Sequence, residues 1–510
     1  MLKLLHISSI QILLIVLVAL TGCYKEVEYF PEVEDDLIKK VFSIDDVEGI
    51  LDQGTNRIFF TISEDTLTSF WALIDYSNYT SISFNGQVLE KKSKQNLGRI
   101  IANQRYRLIA SGNTQNDTFN VIFTGLPLLH ISTTEEIRDE PKIFSTMQLN
   151  FTKPGQEDSM VYQFRSLAGI EIRGASSMRY DKVSFGLELW KNNSREDYKA
   201  ALLGLRPCED LILDAMYIDD LKMRNKISYE IWEQIATLPE EVNPADIYPG
   251  IKCSFVEVLI NNEYAGLFTL NEKLDENLIH LSEGPFRGES MYKAVSWGDG
   301  STRFESYLGS PAETFLWDGW EQIYPSEFTY WNPLDEFRKF VVQSKDEEFA
   351  AQVGSYIDIE NALNYYLLIN LILGYDNTGK NTFLSRYSDE SPFFIIPWDI
   401  ESSWGLAWNR ERNAPNGIAS NNLYKRLEET NAENFNERLR MRWMELREDE
   451  FSEEKLISML GKHFNKLSES GAYEREEEKW EASILKPEEE FVYVSNWVHE
   501  RLIFLDTYFK

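Results

Sequence analysis

Only three cysteines and five histidines occur in 510 residues. No Cys/His spacing suggests zinc, and so few histidines leave little material for a His-built metal centre. Positive charge is also in deficit, with 51 Lys and Arg against 83 Asp and Glu and a formal net charge of -32. Such a chain repels polyphosphate backbones and shows no basic stripe, so nucleic acid is not an expected partner. Its acidic surface suits solubility or cations. Beyond the first two dozen residues no segment reads as a membrane span, and no internal repeat or low-complexity tract appears. Apolar residues are plentiful, at 43% with 13% aromatic. That excludes a disordered chain and suffices for substantial cores in two or three domains.

The N-terminus, MLKLLHISSIQILLIVLVALTGCYKE, carries an early Lys3 and an apolar run from about Ile10 to Leu20. A run this short is a signal-peptide core rather than a span. Leu20-Thr21-Gly22-Cys23 resembles a bacterial lipobox. The resemblance implies that residues 1–22 are a leader and that Cys23 becomes the lipid-modified first residue of a membrane-anchored lipoprotein. Tyr24 in place of an inner-membrane retention Asp points to the outer membrane or cell surface. Cys208 and Cys253 would then lie where oxidation is permitted, so a disulfide is allowed though not indicated.

Residues 23–125 alternate short β-branched runs (NRIFFTISED, SISFNGQVLE, QRYRLIASGN, TFNVIFTGLP) with turn signals, among them Asn85-Gly86. This pattern predicts a small all-β, Ig-like sandwich that acts as a spacer. From 126 to about 425 strands and helices mix, predicting an α+β core. GIEIRGASS and VSFGLELW read as strands joined by a loop holding Gly174, Ser176 and Ser177. A helix over 221–236 is capped by Asp219 or Asp220, with Met223, Ile227, Ile231 and Ile235 on one face. CSFVEVLI and YAGLFTLNE flank Asn261-Asn262, a pair tolerant of left-handed turns. Residues 282–350 show weak periodicity and read as loops and short helices over the core. The segment 358–373 is apolar nearly all round and predicts a buried helix. After 425 the charge-rich amphipathic pattern predicts a helical C-terminal part, 426–510.

The buried helix runs into Tyr375-Asp376-Asn377-Thr378-Gly379-Lys380-Asn381. On a helix, Asp376 and Asn381 would point about 140° apart, so only a loop brings both to one ion. Asp-x-x-x-x-Asn is the spacing of protein-kinase catalytic loops, where the Asp orients the acceptor hydroxyl and the Asn binds magnesium. Thr382–Arg386 and Phe393–Pro397 can form two strands, with Asp399 emerging from the second as a metal-binding carboxylate and Glu401 available to add or order a ligand. One carboxylate, one amide and phosphate oxygens satisfy magnesium, which keeps waters.

From about residue 127 to the end the chain resembles the spore-coat protein H (CotH) kinase family of atypical protein kinases. The resemblance rests on ordered blocks: IRGASSMRYDKVSFGLEL, LLGLRPCEDLILDAMYIDDLKMRNKISYEI, FVEVLINNEYAGLFTLNEK, YDNTGKNTFL, PWDIESSWG, and MRWMELRE through YEREEEKW. It implies a two-lobed, kinase-like core and phosphate transfer from ATP, with Mg2+ or Mn2+, to Ser or Thr of a secreted or surface protein. Asp376 falls at the family's catalytic-loop Asp, Asn381 at the accompanying Asn and Asp399 at the metal-binding Asp. Lys182 lies at a family basic segment that here reads Lys-Val-Ser, so one basic residue is missing. Lys182 becomes the candidate for the ATP phosphates, oriented by Glu230 or another acid of the 221–236 helix. Arg173 and Arg224 are further phosphate candidates, or else structural ion-pair partners. The backbone of 271–273 lies where kinase-like folds hold adenine. No His-Arg precedes Asp376, and Trp-Asp-Ile replaces Asp-Phe-Gly.

A rival reading keeps the kinase-like scaffold but makes it an inactive surface protein for adhesion or glycan interaction, with Trp297, Trp317, Trp320 and Trp331 stacking on sugars, although lobe packing is the simpler role for most of them. Transfer of AMP from a flipped nucleotide is a third.

Overall fold

The computed structural model describes residues 41–62, 69–113, 116–152, 161–174, 177–237, 250–281, 285–480 and 486–510. The expected leader, residues 1–22, and Cys23 and Ser176 lie outside them. Alternating apolar residues in short runs build the N-terminal β domain, in which a four-stranded and a six-stranded sheet share one core that includes Ile58, Phe60, Ala72, Ile74, Leu108 and Phe123. Asn85 and Gly86 both take positive φ at the hairpin between Ser81–Phe84 and Gln87–Leu89, which is what an Asn-Gly turn supplies.

Next, seven strands close a barrel in the order Leu128–Ser132, Ile143–Thr152, Val161–Arg173, Ser184–Trp190, Asp210–Asp214, Glu263–Glu272 and Cys253–Ile260. All pairings are antiparallel except the closing one between Leu128–Ser132 and Cys253–Ile260. Alternate residues of these strands, such as Leu129, Met147, Phe164, Leu187, Val258 and Phe268, fill its interior. The Asn261-Asn262 pair takes φ of 51° and 63° and turns the last hairpin.

The second half contains a five-stranded antiparallel sheet, Leu316–Trp317, Trp320–Tyr324, Ser290–Ala294, Thr382–Arg386 and Phe394–Pro397, and nine α-helices occur among the described residues. In chain order they are α1 (Arg224–Ile235), α2 (Asn332–Gln343), α3 (Asp346–Gln352), α4 (Ile359–Ile372), α5 (Asn422–Thr430), α6 (Phe435–Glu448), α7 (Glu453–Glu469), α8 (Ala472–Lys479) and α9 (Pro487–Tyr508). The largely apolar α4 is buried along almost its whole length. Asn361 docks it on the sheet, accepting from the Ile395 N–H at 2.7 Å and donating to the Ile395 carbonyl at 3.2 Å. One apolar core joins α1, the sheet, α4 and the helices beyond residue 425.

One expectation changes, and two open alternatives are decided. The 282–350 stretch contributes three strands of the second sheet as well as helices, because its short strands find partners almost 100 residues away: Ser290–Ala294 pairs with Thr382–Arg386. Trp317, Trp320 and Trp331 are interior, and Trp331 stacks on Tyr292; of the four, only Trp297 is exposed, which removes the other three as a sugar-stacking surface. Cys208 and Cys253 are both free thiols.

The β domain is fastened to the barrel rather than hung from it. Ile50, Phe59 and Ile122 pack on Leu128, Leu259 and Tyr264. Buried Arg475 of α8 grips Glu257 of the barrel at 2.7 and 2.9 Å, and Thr124 donates to the same carboxylate at 2.5 Å.

Candidate active site

Helix α4 begins at Asp358, whose carboxylate accepts from the Asn361 N–H at 2.9 Å. It ends in a left-handed Leu373 (φ 55°), and the Gly374 N–H returns to Ile369 at 2.9 Å, so the chain leaves the helix abruptly. Asp376–Thr378 then forms a single 3-10 turn. Asn377 is its internal brace, donating to the carbonyls of Asn381 at 3.1 Å and Trp398 at 2.9 Å while its own carbonyl accepts from the Tyr365 hydroxyl at 2.7 Å. The turn is therefore tied to α4 on one side and to the Trp398–Asp399 segment on the other.

Asn381 and Asp399 both take positive φ, 55° and 48°, conformations that Asn and Asp tolerate better than most residues. They meet directly: Asn381 Nδ2 lies 3.2 Å from Asp399 Oδ2. Helix α1 holds the second partner. The Tyr229 hydroxyl accepts from the Asp399 N–H at 2.9 Å, and one turn earlier the Asn225 amide oxygen accepts from Ile400 N–H at 2.7 Å while its NH2 donates to Asp214 at 2.9 Å. Asp214, at the end of a barrel strand, thus joins the group.

Negative charge is concentrated here. The Asp399 residue opens to solvent, yet protein crowds its carboxyl on most sides. That desolvation, with the Asp214 and Asp376 charges, pushes it up to about 6 against the pull of Lys293 and Lys380. Burial likewise raises Asp376, and Lys380 opposes it. Glu401 is raised well above the usual carboxylate range by burial and by Asp214, Asp219 and Asp399, and its Oε1 makes no hydrogen bond among the described residues. Besides Lys380, two further cations face this group. The Arg173 guanidinium lies 5.9 Å from the Trp398 ring and feels Asp214 and Asp399, and Lys293 Nζ lies 5.8 Å from the same ring; burial lowers both, Lys293 further through Arg173.

The other two basic candidates lie elsewhere. Lys182 is fully buried, bonded to Glu476 of α8 at 2.6 Å and to the Leu267 carbonyl, and burial lowers it to about 8. Its expected orienter, Glu230, instead pairs with Lys226 at 3.0 Å and His463 at 2.7 Å, contacts that bring it down to about 2 despite burial. The reason is geometric: Glu230 lies on a face of α1 turned toward α7, whereas Lys182 faces α8. A cavity of ≈ 400 Å³ opens beside Lys182 at the barrel mouth, lined by Phe185, Phe268, Tyr264 and Trp480, and none of its lining belongs to the Asp376, Asn381 and Asp399 group. Arg224 is fully committed to Asp219, Glu490 (2.5 Å) and the Ser403 carbonyl (3.1 Å), the ion-pair alternative foreseen for it.

Lys293, Asp214, Asn225 and Tyr229 were not singled out from sequence. Nothing marks them locally; Lys293 belongs to the 282–350 stretch whose strands were not legible, and the other three reach the site only through tertiary contacts.

Among the described residues, no three or more His, Cys, Asp or Glu side chains are grouped so as to hold a metal ion by themselves. The donor set at Asn381 and Asp399 fits an ion that takes few protein oxygens and fills its shell with water and phosphate, as magnesium does. The crowded, raised carboxyls are the charge such an ion would relieve.

Comparison with known proteins assigns this region. A family model described as "CotH kinase protein" matches residues 170–505, about two-thirds of the chain. The chain belongs to the CotH kinase protein family. The matched span contains all three residues of the Asp376, Asn381 and Asp399 group and the cations facing it. A CotH relative, the inner spore coat protein H of Bacillus subtilis (strain 168), is 24% identical over 254 residues. That match spans 50% of this chain and 63% of the relative, less than two-thirds of its length.

Proposed function

We propose that this CotH-family chain is an atypical protein kinase that transfers the γ-phosphoryl group of ATP to Ser or Thr hydroxyls of an exported protein, from a lipoprotein anchored through Cys23 at the outer membrane or cell surface. The observation that carries the reading is the direct contact between Asn381 and Asp399, just outside the ends of two paired strands and beside the braced turn of Asp376. In this scheme the core acts as a two-lobed kinase, with the barrel supplying Arg173 and Asp214 and the second sheet supplying Lys293, Asn381 and Asp399.

Asp376 orients the acceptor hydroxyl and takes its proton as the oxygen attacks phosphorus; the bond from the γ-phosphorus to the bridging oxygen breaks and ADP leaves. A carboxyl raised by burial is better suited to that proton than an ordinary one. Asn381 and Asp399 hold the divalent cation, Mg2+ or Mn2+, which when bound neutralises charge on the phosphates. Arg173 and Lys293, rather than Lys182 and Arg224, steady the phosphates, because they face Asp399. Positioning and charge stabilisation are what phosphoryl transfer asks of a protein.

The test is intact and peptide mass spectrometry of residues 23–510 with Cys23 replaced, incubated with ATP and Mg2+ or Mn2+, beside Asp376→Asn and Asp399→Asn. Phosphate mass on Ser or Thr that vanishes in both variants is the expected result. A gain of nucleotide mass would redirect the assignment to AMP transfer, and the absence of ATP binding by titration would sink it.

A further inference from the structure

The guanidinium of Arg501, on the last helix, is fully buried, yet all of its described hydrogen bonds go to backbone carbonyls and none to a carboxylate. Nε donates to Asn370 O at 2.8 Å and Nη2 reaches the same oxygen, while Nη1 donates to Pro415 O at 2.6 Å and Gly417 O at 2.5 Å. Asn370 lies in the last turn of α4, where its carbonyl accepts from the C-cap Leu373 N–H at 3.3 Å and the helix carries partial negative charge. Its side chain ties the same turn to the 415–419 segment, pairing with the Ala419 N–H at 2.9 Å and carbonyl at 3.0 Å. Gly417 completes the junction: a Cβ there would overlap the hydroxyl of Tyr375, the residue immediately before Asp376.

We propose that Arg501 is a positioning residue for the Asp376 turn, its planar fork locking the end of α4 to the 415–417 segment against which Tyr375 rests. The proposal rests on reading Asp376 as the group that orients the acceptor hydroxyl. Stability alone does not account for a cation here, because a well-packed apolar side chain avoids the desolvation cost of a buried charge. Burial indeed depresses Arg501, to about 9, with the Tyr375 charge opposing. A guanidinium fulfils a task that an apolar group cannot, since its donors diverge in one rigid plane toward carbonyls of two separate segments. A Lys ammonium has donors but no fork, so it can satisfy one segment and not hold both.

The experiment uses the chain from residue 23, with Cys23 replaced, carrying Arg501→Lys, Arg501→Met or Gly417→Ala. Hydrogen exchange by mass spectrometry is read on peptides covering 370–381 and 413–419, and phosphate transfer is read at several ATP concentrations. In Arg501→Lys, exchange of the 373–381 amides should quicken at least tenfold while the barrel strands keep their protection. The transfer rate at saturating ATP should fall at least tenfold with the KM for ATP changed less than twofold. Gly417→Ala should reproduce both effects from the other side of the junction, and Arg501→Met should exceed Arg501→Lys. Unchanged exchange at 373–381, or protection lost equally across the molecule, would overturn the proposal, as would a lower rate explained by a raised KM. If the parent chain transfers no phosphate from ATP, the kinase reading fails, and the exchange data still decide whether Arg501 holds the turn.

Discussion

Two sets of charged residues in this chain look alike in sequence and differ in the fold. Lys182, Lys222, Arg224 and Arg475 are buried with carboxylates brought by other segments: Glu476 for the two lysines, Asp219 and Glu490 for Arg224, Glu257 for Arg475. Each positive charge there is matched, and the pairs join barrel, α1, α8 and α9. Around Asp399 the balance is poor in the opposite sense. Asp214, Asp399 and Glu401 crowd together, Arg173 and Lys293 stand near them without bonding them directly, and one carboxylate oxygen is left over. Matched buried charge marks architecture here; the unmatched carboxyls are the charge that the proposed cation would relieve.

The largest effect expected from breaking this contrast is at Asp376. Asp376→Asn should lower phosphate transfer by roughly 10²–10⁴-fold, the usual weight of a positioned acid–base group, with the thermal midpoint almost unmoved. Initial rates and a melting curve on the same preparation check both halves. Next is Glu476→Gln, which leaves Lys182 and Lys222 buried without their carboxylate and should cost about 3–5 kcal/mol of stability, read by chemical denaturation. Smaller is the removal of one cation near Asp399: Arg173→Met or Lys293→Met should raise the KM for ATP roughly tenfold, the worth of a charge-assisted hydrogen bond, whereas Lys182→Met should not raise it in protein that remains folded. A matching rise in KM for Lys182→Met would blur the contrast.

The smallest effect concerns pH. Asp399 titrates near 6 in the fold, above the ordinary carboxylate range, so its charge is present above that point and lost below it. Without a cation, this group costs the fold stability as pH rises from the usual carboxylate range through 6. A bound cation recovers that loss. The upward shift of the melting temperature caused by Mg2+ or Mn2+ should therefore be clear at pH 7.5 and fade toward pH 5, and Asp399→Asn should abolish its pH dependence.

Several elements were legible because their signal is local. The Asn85-Gly86 and Asn261-Asn262 turns and the largely apolar α4 follow from neighbours within a few residues, whereas α1 starts at Arg224 with Met223 as its N-cap, later than expected, and Asp219 instead accepts from the Met223 and Arg224 N–H groups at 2.7 Å each. The strands of 282–350 were not, since their partners come from 382–386 and short aromatic runs do not announce a distant pairing. The same limit applied to the site. The spacing of Asp376 and Asn381 is a property of the chain, but choosing which basic residues face Asp399 required knowing which helix lies beside each.

The sequence by itself determined the acidic character, the β pattern before residue 125, the buried helix with its abrupt end, and the family to which the chain belongs. The family follows from the ordered sequence blocks; the rest are consequences of composition, periodicity and short-range turn chemistry, which act before the chain is folded. Only the tertiary structure decided that seven strands close into a barrel, that Lys182 answers to Glu476 and not to Glu230, and that Arg501 reaches back to the end of α4. Those pairings depend on which surfaces meet when the apolar cores form, and a buried charge takes whichever partner that packing brings within a few ångströms.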